Sequence, residues 1–79
     1  MNLLVAPKNK NFRIIAYRGG RRVEFKLRQL GLSPGRNVRV LRYAPMGGPI
    51  MLDVEGRTVA IGRGIAARVE VEAPECELD

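Results

Sequence analysis

Histidine and tryptophan are absent from the 79 residues, and cysteine occurs once. Without histidine the commonest general base and metal ligand is missing. A single Cys76 excludes an internal disulfide framework and fits a reducing compartment. That cysteine lies among acidic residues, which oppose rather than promote thiolate formation. Aromatic residues are few: Phe12, Tyr17, Phe25 and Tyr43. Neither G-x-x-x-x-G-K-[ST] nor a strand-borne G-x-G-x-x-G occurs, so Gly47-Gly48 and Gly62-Arg63-Gly64 read as turns rather than phosphate cradles. No stretch approaches the 18 apolar residues of a membrane-spanning helix. The apolar run Met1 to Ala6 has no basic segment before it and ends at Pro7, which is too short for a leader peptide. A soluble cytoplasmic chain, without catalysis, structural metal or cofactor, is expected.

Positive charge, by contrast, is abundant. Fourteen Lys and Arg stand against eight Asp and Glu, a net of +6. Five of the acids (Glu70, Glu72, Glu75, Glu77 and Asp79) fall in the last ten residues. Residues 1–69 therefore hold fourteen bases against three acids, a net of +11. Such a body attracts an acidic partner, whether protein face, nucleic acid or anionic lipid.

Residues 12–18 (FRIIAYR) form a strand with Phe12, Ile14 and Ala16 on one face. Gly19-Gly20 interrupts it, and from Arg21 the period changes: Val23, Leu27 and Leu30 fall on one helical stripe. The helix stops at Leu30, with Gly31 in the left-handed position and the apolar pair Leu27 and Leu32 closing a Schellman end. Ser33-Pro34-Gly35-Arg36 reads as a type II turn.

Everything beyond that turn reads as strand. In residues 37–43, Val38 and Val40 point one way and Leu41 and Tyr43 the other, a phase change that suggests a bulge or a strand covered on both faces. Residues 44–49 (APMGGP) form a Pro- and Gly-bounded loop. Ile50, Leu52 and Val54 alternate inward, Glu55-Gly56 makes a two-residue hairpin turn, and Val59 and Ile61 return inward. A short helical turn over 62–67 precedes a last strand with Val69 and Val71 inward. The expectation is one all-β domain over residues 1–72, a small antiparallel barrel of about five strands with one short helix after the first, and an acidic, flexible tail over 73–79.

Gly19-Gly20, the segment Leu27-Arg28-Gln29-Leu30-Gly31-Leu32 and the turn Ser33-Pro34-Gly35 resemble the L-x-x-L-G-L-x-P-G segment of ferrous iron transport protein A, FeoA. Val38 to Leu41, Ala44 to Ile50 and Ile65 to Val71 continue the match in register, so that the resemblance covers about residues 12–72. At the front, Pro7-Lys8-Asn9-Lys10-Asn11 departs from the family's frequent Lys-Pro-Gly-like turn. The resemblance implies an SH3-like barrel in the bacterial cytoplasm. Its implied partner is FeoB, a ferrous-iron transporter of the membrane with a cytosolic G domain. Similar domains also end some metal-dependent repressors, where they serve as interaction modules.

The remaining candidates concern contacts. Asp53 and Glu55 lie two apart on a strand and share a face, as solvated edge residues do. With the tail residues Glu75, Cys76, Glu77 and Asp79 they are the candidate metal ligands, and a frayed tail would lose entropy on binding one. The bases Arg13, Arg18, Arg21, Arg22, Lys26, Arg28, Arg36, Arg39 and Arg42 suit either nucleic-acid phosphates or an acidic protein face; the scarcity of aromatic platforms favours protein. Arg18, Arg21, Arg39 and Arg42 are the expected steering charges. Phe25 falls opposite the Val23-Leu27-Leu30 stripe. It either forms a contact surface with Arg22 and Lys26 or packs beneath Leu3 to Val5. The second candidate contact is the loop Pro45-Met46-Gly47-Gly48-Pro49 with Met51, stiffened by its prolines; its alternative role is a plain connection with Met46 capping the barrel. Self-association through strand edges is a further possibility.

Overall fold

Alternation of β-branched residues builds the strands and a single amphipathic stripe builds the main helix. The computed structural model describes residues 1–73. Its elements are β1 (Asn11–Tyr17), α1 (Gly20–Gln29), β2 (Asn37–Tyr43), β3 (Ile50–Val54), β4 (Arg57–Ile61), α2 (Arg63–Ala66) and β5 (Val69–Glu72). The strands form one antiparallel sheet in the order β4-β3-β2-β1-β5. Ladder bonding does not pass from β4 to β5; the short α2 bridges them. The SH3-like barrel expected from the sequence is therefore present in an open form.

The core lies against one face of this sheet. Ile14, Val38, Val40, Ile50, Leu52, Val54, Val69 and Val71 are all at most 2% exposed, together with Leu27 of α1 and Leu32 just beyond its end. Full burial of each such side chain stabilises by about 1.5–3 kcal/mol. Leu3 and Ala6 are buried as well, so the apolar start of the chain belongs to the core. It is held there by Leu3 N–H donating to the Val69 carbonyl (3.1 Å) and Val71 N–H donating to the Met1 carbonyl (2.7 Å).

Helix α1 ends as its sequence requires. Gly31 has φ of 82°, its N–H donates to the Arg28 carbonyl (3.0 Å), and the Leu32 N–H reaches back to the Leu27 carbonyl (2.8 Å). These are the two bonds of a Schellman end, and they need a residue that tolerates positive φ. The Ser33–Arg36 turn follows, closed by Arg36 N–H to the Ser33 carbonyl at 3.1 Å. It is tied to β1 through Gly35 N–H to the Ile14 carbonyl (2.8 Å) and Ile14 N–H to the Arg36 carbonyl (2.9 Å).

Two bulges correct the simple alternation. The β1–β5 register shifts between Ile14 and Ala16, so Ala16 is exposed rather than facing inward with Phe12 and Ile14. The shift also turns Tyr17 inward, where its hydroxyl donates to the Leu32 carbonyl (2.6 Å). The second shift lies between Val40 and Arg42 in the β2–β3 ladder, and it produces the phase change read in that strand. At the β3–β4 hairpin, Glu55 and Gly56 have φ of 50° and 96°, a type I′ turn whose twist suits a two-residue connection. Before β1, Asn9 takes φ of 62°; asparagine is one of the few non-glycine residues that enter that region readily.

Candidate partner-binding surface

Phe25 stands 65% exposed on the outer side of α1, while Leu27 from the opposite stripe is fully buried. The amino-terminal segment does not cover it: Leu3 is in the core and Val5 is itself exposed. Arg21, Arg22 and Lys26 surround Phe25 in the helical sequence, and all three are exposed. The helix begins at Gly19 without a side-chain cap or an acidic residue in its first turn. Two arginines at a helix start work against the macrodipole. This end of the helix is therefore arranged for positive surface charge at the expense of helix stability.

The ion pairs sharpen this picture. Every acid among the described residues has a basic partner. Arg28 meets Glu24 at 3.9 Å, Arg36 meets Glu55 at 2.6 Å, Arg39 meets Asp53 at 3.2 Å, Arg18 meets Glu70 at 3.3 Å and Arg13 meets Glu72 at 2.5 Å. The Arg36 hydrogen bond holds the Glu55 carboxyl below its ordinary pKa. Asp53 also accepts from the Gly56 N–H at 3.0 Å, so both Asp53 and Glu55 stabilise the hairpin. Of the four expected steering residues, Arg18 and Arg39 are thus locally neutralised, and Arg39 carries a buried Nε without a hydrogen-bond partner. Arg21, Arg22, Lys26 and Arg42 have no acidic partner among the described residues.

An open groove of about 480 Å³ runs beside the helix start, lined by Tyr17, Gly20, Arg21, Glu24, Arg28 and Pro34. Burial raises the Tyr17 pKa, and its hydroxyl is occupied by the Leu32 carbonyl.

The second candidate surface lies elsewhere. Residues 44–49 close the end of the β2–β3 ladder marked by Tyr43 and Ile50. The other end of that ladder, Val38 with Val54, leads to the β3–β4 turn, where Arg57 donates to the Leu30 carbonyl of the helix end at 3.2 Å. The loop and the carboxyl end of α1 thus sit at opposite ends of the β2–β3 ladder. Within the loop Met46 and Gly47 have φ of 59° and 73°, and Gly48 N–H donates to the Pro45 carbonyl at 3.1 Å. Met46 is fully exposed and does not cap the barrel. Pro45, Gly47 and Pro49 are exposed; Gly48 and Met51 are half-buried.

Arg63 fastens this loop, a role hidden in the sequence because Gly62-Arg63-Gly64 reads as a turn. Its Nε donates to the Gly48 carbonyl (3.2 Å) and its Nη2 to the Ala44 carbonyl (3.1 Å). Its guanidinium lies 6.0 Å from the Tyr43 ring centroid. The Tyr43 hydroxyl lies between the Ala6 carbonyl and the Leu3 carbonyl, the latter at 3.2 Å; its single proton serves one at a time. Burial raises its pKa.

No cluster of three acidic or thiol side chains forms among the described residues, and none of their helices is long and apolar enough to cross a membrane. The tail positions Glu75, Cys76, Glu77 and Asp79 lie outside the described residues.

The FeoA domain model matches residues 1–73. A curated relative from Methanocaldococcus jannaschii, a putative Fe(2+) transport protein A, is 34% identical over 50 residues; the match covers 63% of this chain and 58% of that protein's length. A crystal structure described as iron uptake regulatory protein (FeoA) superposes with a TM-score of 0.84 at 36% identity, covering 91% of this chain and 95% of the other. The manganese-activated repressor ScaR, in its apo form, superposes over 94% of this chain and 35% of its own, with a TM-score of 0.84 at 22% identity; that similarity is one of fold.

Proposed function

The chain belongs to the FeoA domain family, and from that premise we propose that it is a cytoplasmic, non-enzymatic accessory of ferrous-iron uptake that binds a FeoB-type transporter at its cytosolic side. Iron is the cargo of the system and is not held by this protein. The observation that carries the reading is the outer face of α1. Phe25 stands exposed there among Arg21, Arg22 and Lys26, cations without acidic partners among the described residues. An exposed aromatic with arginine beside it has the composition of a protein contact. The unpaired cations raise the encounter rate with an acidic face.

The nucleic-acid alternative draws less support. A stacking surface needs several aromatic faces on one basic side. Phe12 is buried, and Tyr17 and Tyr43 are half-buried with hydroxyls committed to backbone carbonyls. Phe25 alone is left.

The test is a titration of the chain against the transporter's cytosolic G domain at about 0.15 M salt, where surface charge is partly screened. A random DNA oligomer serves as control. Saturable binding to the G domain and none to the oligomer is expected. Oligomer binding without a response to the G domain would reverse the assignment.

A further inference from the structure

The two outer edges of the sheet are treated differently. At β5 the edge is closed: Leu3 N–H donates to the Val69 carbonyl and Val71 N–H to the Met1 carbonyl. At β4 nothing among the described residues takes that place. Val54 and Arg57 flank the two-residue turn and form its hydrogen-bonded pair, so alternation makes Leu52 with Val59 and Ile50 with Ile61 the next bonded pairs. The backbone N–H and C=O groups of Thr58 and Ala60 therefore point away from β3. No described backbone group meets them, and both residues are exposed.

The electrostatic setting of this edge is predominantly basic. From Gly56 through Val69 the sequence carries Arg57, Arg63 and Arg68 and no acid. None of the three forms a salt bridge among the described residues, although the Glu55 carboxylate in the adjoining turn feels the charge of Arg57. Arg57 stands at one end of β4 and Arg63 two residues beyond the other. Arg57 donates to the Leu30 carbonyl and Arg63 to the Gly48 and Ala44 carbonyls, contacts that orient the two charges without cancelling them.

We propose that the outer edge of β4 is a docking site for an extended, acidic segment of a protein partner, which adds antiparallel to β4 as a sixth strand. Backbone bonds to Thr58 and Ala60 supply the pairing, and Arg57 and Arg63 select for carboxylates at the two ends. A second copy of this chain is a poorer occupant, because its own β4 would bring arginines rather than acids to the edge. The proposal is independent of the transporter assignment and of the α1 face.

The experiment uses the ¹⁵N-labelled full chain and two ten-residue peptides. One alternates Thr or Val with Glu; the other carries Lys in place of each Glu. The acidic peptide is expected to shift the Thr58 and Ala60 amides saturably and to slow their hydrogen exchange at least tenfold. The Lys peptide is expected to bind at least tenfold more weakly. Ala60→Pro removes an N–H that faces away from β3, a replacement that edge strands tolerate, and should abolish the effect. Should that variant not fold, Arg57→Glu is expected to weaken the acidic peptide and strengthen the basic one, while Phe25→Ala leaves both unchanged. Equal binding of the two peptides, or shifts that avoid Thr58 and Ala60, would overturn the proposal. Concentration-dependent protection of those two amides without peptide would assign the edge to a second copy and overturn it equally.

Discussion

Helix α1 and the loop between β2 and β3 each lift a large apolar side chain into solvent, but they hold it by different means. Phe25 rides on a regular helix whose start is uncapped and crowded with arginines, and whose end is fixed by the Gly31 Schellman bonds and a fully buried Leu27. Met46 sits on a backbone turned into the left-handed region, in a loop fastened from outside by Arg63. A non-glycine residue in that region costs about 1–2 kcal/mol, so the loop is rigid through contacts made elsewhere. The helix face combines an exposed aromatic with positive charge that has no acidic partner among the described residues; the loop offers a thioether tip beside a cation anchored to neutral backbone carbonyls. The first suits an electrostatically steered contact, the second a shape-specific one.

Leu27→Ala should separate the two most strongly. Removal of a fully buried leucine costs about 2–5 kcal/mol, and the cavity lies under α1. A chemical denaturation midpoint should fall accordingly, with backbone resonances of the helix perturbed and those of residues 44–49 unmoved in the folded state. Perturbation of both regions alike would mean that they are one cooperative surface.

Arg63→Ala is the converse. It removes two charge-assisted bonds to the Gly48 and Ala44 carbonyls. The expected destabilisation is about 1–2 kcal/mol, discounted from the range for charged hydrogen bonds because the site is half-exposed. Amide exchange should quicken in residues 44–49 and stay unchanged across α1. A loop as protected as before would show that its turn is stable on its own.

A smaller effect is expected from pH. Burial raises both tyrosines above the ordinary value of about 10, Tyr17 beside α1 and Tyr43 beside the loop. A group whose folded pKa is raised contributes stability below its unfolded pKa and loses it as pH rises through the folded one. Urea midpoints should thus hold steady toward pH 10 and decline above it. The decline should be shallower in Tyr17→Phe and in Tyr43→Phe. An unchanged slope in either variant would sever that tyrosine from its region's stability.

Much of this architecture was legible in the sequence because it rests on local chemistry. Gly31 after Leu30, Pro34-Gly35 and Glu55-Gly56 have few structural alternatives, and the alternation of Ile50, Leu52 and Val54 leaves one face to bury. The phase change after Val40 announced its bulge. What escaped was non-local. The shift at Ala16 depends on pairing with β5, and the burial of Leu3 and Ala6 depends on a strand edge some 65 residues away in sequence. Arg63 is silent in its own neighbourhood, since its acceptors lie in another loop. At the candidate surface, helical periodicity marked Phe25 as outward, but only the fold separates the cations: it spends Arg18 and Arg39 on Glu70 and Asp53 and leaves Arg21 and Arg42 without an acidic partner among the described residues.

The most direct test of the account measures the affinity of the wild-type chain, Phe25→Ala and Met46→Ala for the FeoB-type G domain, with thermal midpoints recorded alongside. Phe25 is exposed, so its truncation should change stability by no more than about 0.5 kcal/mol while weakening binding at least tenfold, and Met46→Ala should weaken it less. Wild-type affinity in a normally folded Phe25→Ala chain would contradict the assignment of the α1 face as the contact surface.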